Sequence, residues 1–298
     1  MSFHNHLFII NELSGTQQNK KEILNHIQSH FPDANVIVIK QKSDFPFAIE
    51  ESKKEQYQYI IINGGDGTIN SFLPVIIEQN KVLGIIPSGS GNGLARTLKI
   101  PLHPIKAIEN ILKKNKIYSI DVGKILIHSQ NILQEKYFAC AVGMGIDAYI
   151  AHRFEQQKTR GLYGYILASI KEWKNYQPIK AKIETNQQTI PVDSYLILSI
   201  MNIPQYGNDF YLAPTAQCND GQLNLVLLPK VSVFSYPCIL WNILRKKTHH
   251  SLKILESNKI DIYLHQRQFK IHIDGEPLDF SDVSKISIQI IPHSLKVI

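Results

Sequence analysis

The first 125 residues alternate between continuous apolar runs and segments in which apolar residues recur every three or four positions. Strands are expected at 6–10, 34–39, 57–63 and 82–87. Helices are expected at 20–31, 68–79 and 105–115. Pro74 should bend the second helix or confine it to its early turns. This alternation predicts a parallel sheet covered by helices on both faces, because strands buried on both sides are apolar throughout.

The pattern changes after about residue 122, where short β-like runs separated by turn-rich pieces dominate. One helical stretch interrupts them at roughly 147–175. This pattern of short strands and turns is typical of a mainly antiparallel β domain. We therefore expect an α/β domain over 1–122 and a β-sandwich domain over 123–298. The C-terminal segment, about 285–298, is the part that could return to the first domain.

Composition restricts the class of protein. Hydrophobic residues make up 44% of the 298 positions and charged residues 19%, so the chain can bury a core and is not disordered. Three scattered cysteines, with no CxxC pair, suggest neither a disulfide framework nor a structural zinc site. The N-terminal residues do not read as a signal peptide, and no apolar run approaches the ~20 residues that span a bilayer. These features predict a cytoplasmic protein.

The net charge of +7 is concentrated in two regions. Residues 150–182 hold seven Lys or Arg and two acids, and residues 229–255 hold five Lys or Arg and no acid. A basic region can face nucleic acid, anionic lipid or only water. The two segments contain no recognised nucleic-acid-binding module, so nucleic acid is not an expected partner.

Three loops rich in small residues follow predicted strands: NELSG at 11–15, NGGDGT at 63–68 and PSGSGN at 87–92. NGGDGT is neither a GxxxxGK[ST] phosphate loop, because no lysine follows its last glycine, nor a GxGxxG fingerprint, because its first two glycines are adjacent. In an α/β sheet, ligands bind beyond the carboxyl ends of the strands, where glycines admit a ligand and a helix N-terminus attracts phosphate. The loops together predict a nucleotide cradle, although Asp66 on its own could be a turn residue. The candidate nucleotide-binding residues are Asn11, Ser14, Gly15, Gly64, Gly65, Asp66, Gly67, Thr68, Ser88, Gly89, Ser90 and Asn92.

With these motifs the chain resembles the diacylglycerol kinase catalytic-domain family, which includes bacterial lipid kinases and sphingosine kinases. The resemblance extends through DVG at 121–123, GMGIDA at 143–148, QYGNDFYLAPTAQCNDGQL at 205–223 and DGE at 274–276, in the family's order and spacing. It implies an ATP-binding domain like that of NAD kinases and phosphofructokinases, followed by a lipid-binding β-sandwich. It also implies ATP and Mg²⁺ as cofactors.

Three positions depart from the family pattern. Glu12 stands where the first loop usually has proline, and Ser71 stands where glutamate usually follows the second loop. Ser90 replaces a threonine of many bacterial members but keeps the hydroxyl. The Ser71 change removes a carboxylate near the nucleotide.

Phosphoryl transfer needs positioning, charge neutralisation and a base for the attacking hydroxyl. Asp66 and Asp121 can hold a catalytic magnesium, partly through water, because Mg²⁺ prefers oxygen ligands and keeps several waters. The resemblance implies that Glu276 takes the proton from the lipid hydroxyl. Taken without the resemblance, the residues at 274–276 indicate a plain Asp-Gly hairpin turn. The resemblance also implies a structural magnesium, bound by the side chain of Asp220 and the carbonyls of Gln217 and Gln222.

Asp147 has two interpretations. A matching aspartate in sphingosine kinases meets the polar head of the lipid, which makes Asp147 a candidate substrate residue. The alternative is a helix N-cap, because Asp147 precedes a helical stretch.

The expected function is an ATP-dependent lipid kinase acting on a diacylglycerol-like or sphingoid-like hydroxyl. One alternative is a non-catalytic lipid- or nucleotide-binding protein of the same fold. The other is NAD kinase, which shares GGDGT but also carries an Asn-Glu pair that is missing at the expected place. The sequence leaves a homodimer open.

A lipid kinase without a spanning helix must visit a membrane surface, so we expect peripheral membrane association. Residues 231–253 combine an apolar block with the basic triplet Arg245, Lys246 and Lys247. This composition suits an anionic membrane interface. The alternative is that the apolar block is core and the triplet is only solvated.

Overall fold

The computed structural model describes residues 3–15, 20–113, 116–129, 132–149, 176–265 and 268–298. The chain forms two compact units, Met1–Ile120 with His293–Ile298 and Asp121–Pro292. We call them the first and second unit. Most of the predicted helical stretch at 147–175 and most of the basic segment at 150–182 lie outside the described residues. Residues 146–149, which include the start of that stretch, are described and are helical.

The first unit is built on a parallel sheet. Its strands are β1 (His6–Asn11), β2 (Asn35–Ile39), β3 (Tyr59–Gly64) and β4 (Val82–Pro87). Its helices are α1 (Lys20–His30), α2 (Phe45–Ser52), α3 (Asp66–Glu78), α4 (Gly93–Thr97) and α5 (Pro104–Lys113). The strands pair in the order β2-β1-β3-β4. Lys296 and Val297, at the end of the last strand, add to the free side of β4, also in parallel.

The apolar runs explain this sheet. Every residue of β1 and of β4 is buried, as expected for strands covered on both faces. The predicted helix around Pro74 continues through that residue to Glu78. Two helices of the first unit were not predicted. α2 has a proline in its first turn, a favourable position, and α4 is only five residues long.

The second unit is antiparallel. Its first strands are β5 (Tyr118–Ser129), which begins in the first unit, β6 (Ile132–Phe138), β7 (Ala141–Gly143), β8 (Ile179–Thr185) and β9 (Thr189–Met201). They are followed by β10 (Leu223–Pro229), β11 (Lys253–Ser257) and β12 (Lys259–Leu264). The last three are β13 (Gln268–Ile273), β14 (Glu276–Ser281) and β15 (Val283–Val297). Helix α6 (Tyr236–Leu244) lies between β10 and β11 in the chain.

The strands of the second unit pair in the order β14-β13-β7-β9-β8-β12-β15, and β10 joins β9 to β11. Buried isoleucine, leucine, valine and phenylalanine side chains from these strands form its core. The predicted fold class, an α/β domain followed by a mainly antiparallel β-sandwich, is confirmed. Among the described residues, no helix is both long enough and apolar enough to cross a membrane.

Candidate active site

The three small-residue loops of the first unit meet at the carboxyl ends of β1, β3 and β4. Gly15 has a φ of +73°, and a Cβ added there would overlap the carbonyl oxygen of Ser88. A Cβ added at Gly89 would lie 2.5 Å from the Cα of Gly65. The backbones of the three loops therefore touch at these positions, and only glycine allows the contact.

A buried side-chain pair fixes the first loop to the second. The Asn11 side-chain amide donates to Oγ1 of Thr68 at 2.8 Å, and its carbonyl oxygen accepts from the backbone N–H of Leu13 at 2.9 Å. Thr68 packs closely on Gly64, where an added Cβ would lie 2.5 Å from the Thr68 Cβ. These candidate residues thus hold the cradle in shape.

Asp66 is the first residue of α3 and also caps a second helix. Its carboxylate accepts hydrogen bonds from the backbone N–H groups of Gly93 at 2.8 Å and Leu94 at 3.1 Å, the first residues of α4. Sequence reasoning considered a metal ligand or a turn residue and did not find this cap. A carboxylate has about four lone-pair sites, so capping is compatible with also binding a cation.

The third loop is shaped by Asn92, which has a φ of 51°. Its side chain accepts from the backbone N–H of Gly89 at 2.9 Å and donates to the Gly89 carbonyl at 2.8 Å. Ser88 Oγ is buried and has no hydrogen-bond partner among the described residues. Ser90 is exposed in the same loop. Tight glycine contacts and an unpartnered hydroxyl at a strand end fit a phosphate chain.

Asp121, at the start of the second unit, is fully buried. Its carboxylate accepts from the backbone N–H of Gly221 at 2.7 Å, and its own N–H donates to the Cys218 carbonyl at 2.6 Å. The loop at 217–222 therefore wraps onto Asp121.

That loop contains the predicted ligands of the structural magnesium. The Asp220 carboxylate accepts from the backbone N–H of Gln222 at 2.9 Å, and Gln217 is exposed. Within the part of the chain that the structure describes, no group of three His, Cys, Asp or Glu converges in a metal-binding arrangement. The loop does offer carboxylate and carbonyl oxygens, which are the ligand types that Mg²⁺ takes together with retained waters.

Glu276 is exposed at the start of β14, directly after a two-residue turn. Asp274 and Gly275 have φ values of 49° and 84°, and Ile273 pairs with Glu276 across the hairpin. The Asp-Gly hairpin turn that the residues alone predicted is therefore present, and it carries the candidate base at its exit.

The buried carboxylate of Asp274 anchors that hairpin. It accepts three hydrogen bonds of 2.8–2.9 Å from consecutive backbone N–H groups at 139–141. Sequence reasoning missed this residue. The only local signal, an Asp before a Gly, is explained equally well by the turn.

Asp147 lies in a buried polar cluster and is 4% exposed. Its carboxylate accepts from the backbone N–H of Gly145 at 2.8 Å, from Ser199 Oγ at 2.6 Å and from the Tyr206 hydroxyl at 2.7 Å. Nε2 of His272 lies 3.5 Å from the same carboxylate. The other ring nitrogen, Nδ1, is buried and has no partner among the described residues.

The electrostatics of this cluster favour a charged carboxylate. Burial alone would raise the pKa of Asp147, but the hydrogen bond and charge of His272, together with Ser199 and Tyr206, hold it below its ordinary value. Burial, assisted by the negative charge of Asp147, raises the pKa of the Tyr176 hydroxyl. The cluster thus presents an anion surrounded by neutral hydroxyls and an imidazole.

Comparison with known proteins extends over both units. The family model for the diacylglycerol kinase catalytic domain matches residues 5–125, and that for the YegS C-terminal NAD kinase beta sandwich-like domain matches residues 140–298. The protein named probable lipid kinase YegS of Escherichia coli is 26% identical over 298 residues, which cover 97% of this chain and 94% of that one. The diacylglycerol kinase of Bacillus subtilis is 24% identical, with 78% and 76% of the two chains covered.

Solved structures show the same fold. A diacylglycerol kinase from Bacillus anthracis superposes with a TM-score of 0.72 at 20% identity, over 100% of this chain and 97% of that one. Yeast NADH kinase superposes with a TM-score of 0.59 at 12% identity, over 98% and 82%. With one family model on each half, the chain belongs to the lipid kinase family in which a diacylglycerol kinase catalytic domain precedes a YegS-type, NAD kinase-like β-sandwich.

Proposed function

We propose that this protein is an ATP-dependent lipid kinase that transfers the γ-phosphoryl group to the hydroxyl of a diacylglycerol-like or sphingoid-like lipid at a membrane surface. The observation that carries the proposal is the contact between the three loops through Gly15, Gly65 and Gly89. This contact leaves a backbone-lined cradle at the strand ends, where α3 begins. Such a cradle accepts phosphates rather than a bulky apolar ligand.

The chain's own residues divide the chemistry. The loops of the first unit position the phosphates, with Ser88 Oγ available as a donor. Asp66 and Asp121 are each candidate ligands for Mg²⁺, which when bound would neutralise the charge on the transferring phosphoryl group. Glu276 accepts the proton of the lipid hydroxyl as the oxygen of that hydroxyl attacks the γ-phosphorus. The bond from that phosphorus to the bridging oxygen breaks, and ADP leaves.

The buried cluster around Asp147 is our candidate for the polar head of the lipid. Because the carboxylate is 4% exposed, we assign direct contact to Tyr206, which is half-buried and whose hydroxyl donates to Asp147. A tyrosine hydroxyl is both a donor and an acceptor of hydrogen bonds, so this group is suited to meet a lipid hydroxyl or amine.

The test is incubation with radiolabelled ATP and Mg²⁺ and a panel of lipids in mixed micelles: diacylglycerol, a sphingoid base and a polyprenol. NAD belongs in the same panel as the acceptor of the rival kinase. We expect label in one lipid and none in NAD. Labelling of NAD would instead show that the protein is an NAD kinase. If no acceptor is labelled under conditions in which a known lipid kinase labels its substrate, the protein is a non-catalytic binding protein.

A further inference from the structure

Helix α6 carries apolar side chains on two opposite sides. Ile239 and Ile243 are 1% and 2% exposed, so this side of the helix is covered. Trp241, between them, is 59% exposed, and Phe234, just before the helix, is 90% exposed. Phe234 is the most exposed large hydrophobic side chain among the described residues. The apolar block of the sequence is thus partly core and partly surface.

The exposed residues of α6 share one face. Pro237, Cys238, Trp241 and Arg245 are all exposed and recur at helical spacing. Phe234 precedes them in the short 3₁₀ turn Val233–Ser235. We call these five residues the outer face of α6. It combines three apolar side chains, one thiol and one cation, a composition that is unusual for a surface in contact with water alone.

The outer face lies within an acid-free stretch of the chain. From 229 to 255 there is no Asp or Glu, and the five cations are Lys230, Arg245, Lys246, Lys247 and Lys253. All five are exposed. The Arg245 guanidinium stands 4.8 Å from the centre of the Trp241 ring, which combines a cation and an aromatic ring at one point. The local charge is therefore complementary to an anionic surface.

The connection that contains α6 is an excursion from one end of a strand pair. β10 and β11 are antiparallel neighbours, and Leu227 pairs with Lys253, so residues 230–252 leave and return at the same place. A short helix fixed at the end of two paired strands keeps its outer face in one orientation relative to them.

We propose that the outer face of α6 docks this protein on an anionic lipid surface, with Phe234 and Trp241 entering the headgroup boundary and the basic cluster Arg245, Lys246 and Lys247 facing lipid phosphates. The inference rests on the proposed function, which requires a lipid surface. Aromatic side chains beside basic residues favour the interface of an anionic leaflet over either water or a neutral bilayer.

The first experiment is co-sedimentation with vesicles of phosphatidylcholine alone or mixed with phosphatidylglycerol, at low and high salt. The variants are the pair Phe234→Ser with Trp241→Ser and the triple change of Arg245, Lys246 and Lys247 to Ser. The control is Phe47→Ser, since Phe47 is 63% exposed in α2. At low salt we expect the triple change to weaken binding to anionic vesicles by about a hundredfold and the aromatic pair by about tenfold. Phe47→Ser should bind as wild type does.

A second experiment reports insertion directly. The chain has two tryptophans, Trp241 and Trp173, which lies outside the described residues. Replacing Trp173 with Phe leaves Trp241 as the single indole. Its emission should shift to shorter wavelength on anionic vesicles, and brominated acyl chains should quench it. An unchanged spectrum on vesicles that bind the protein would overturn the inference.

Activity on a soluble short-chain diacylglycerol separates this inference from the proposed function. If the variants bind vesicles as wild type does while wild type phosphorylates the soluble lipid, the docking surface is wrong and the kinase function stands. If no lipid is phosphorylated but vesicle binding depends on the outer face, docking stands and the kinase function is wrong. A third outcome is that the variants bind vesicles as wild type does, while sedimentation velocity shows self-association that is lost when Trp241 is replaced. The outer face would then be a contact between copies of the chain, and the docking proposal would be wrong.

Discussion

The two units hold their candidate site residues in different ways. In the first, loops that directly follow neighbouring strands touch through their backbones at Gly15, Gly65 and Gly89. In the second, buried carboxylates reach segments distant in the chain: Asp121 binds the N–H of Gly221, 100 residues away, and Asp274 binds those at 139–141, 133–135 residues away. The first site depends above all on the absence of side chains at these three glycines, and the second depends on particular carboxylates. Substitutions should therefore damage the two by different routes.

The largest expected effect is at Glu276. Glu276→Gln keeps size and hydrogen-bonding capacity but removes the base, so the turnover number should fall about a thousandfold. Affinity for ATP should be unchanged, because we propose that the loops of the first unit bind it. The control is Asp279→Asn, an exposed carboxylate of the same hairpin that pairs with Lys270 at 3.2 Å. Full activity of the Gln variant would move the base role elsewhere, with Asp66 the next candidate.

Asp66 should give the next largest effect and tests whether the first unit also needs a side chain. Asp66→Ala removes a charge beside the cradle and the cap on α4, and we expect a loss of about a hundredfold in turnover. Asp44→Ala is the control, since Asp44 likewise accepts two backbone N–H groups, those of Lys40 and Gln41, away from the loops. Titration of Mg²⁺ separates the two roles of Asp66. A lost cap alone would leave the Mg²⁺ dependence of turnover unchanged.

A single methyl group should suffice to damage the cradle. In Gly89→Ala the new Cβ would lie 2.5 Å from the Cα of Gly65, a backbone atom that cannot move aside alone. We expect ATP affinity, measured by calorimetry, to fall about tenfold. In Gly84→Ala the crowded atom is the flexible end of the Ile61 side chain in the core. That control should lower stability and leave ATP affinity unchanged. Equal affinities in both variants would contradict a backbone-built cradle.

These contrasts also explain what the sequence could predict. The strands and loops of the first unit are readable because apolar runs and glycines are local signals, and both carry the fold there. Helix α4 was missed because five residues show no period and its cap comes from Asp66, 27 residues earlier. Asp274 was missed because the backbone groups that its carboxylate binds, at 139–141, lie even farther away in the chain. The two sides of α6 could not be separated, because apolar spacing alone does not say which side is covered.

The smallest predicted effect compares how the two units respond to acid. His6 in β1 is stacked on Tyr59 at 4.4 Å, and burial lowers its pKa to about 4. The unfolded chain binds the proton near the usual value of about 6.5, so the folded state loses stability as the pH falls through the interval between these values. Asp147 in the second unit also has a lowered pKa, but a depressed carboxylate loses its contribution only below its unfolded value of about 3.9. Mild acid should therefore weaken β1, which carries His6, more than the part of the second unit around Asp147. Between about pH 7 and about pH 5.5, protonation linked to His6 should lower the free energy of unfolding of wild type, measured in urea, by about 1 kcal/mol.

His6→Phe keeps an aromatic ring on Tyr59 and should make the free energy of unfolding less dependent on pH. His30→Phe, at an exposed position, should leave the pH dependence as it is in wild type. Hydrogen exchange of peptides from β1 and β9 assigns the loss to a unit, and greater opening of β9 at pH 5.5 would contradict it.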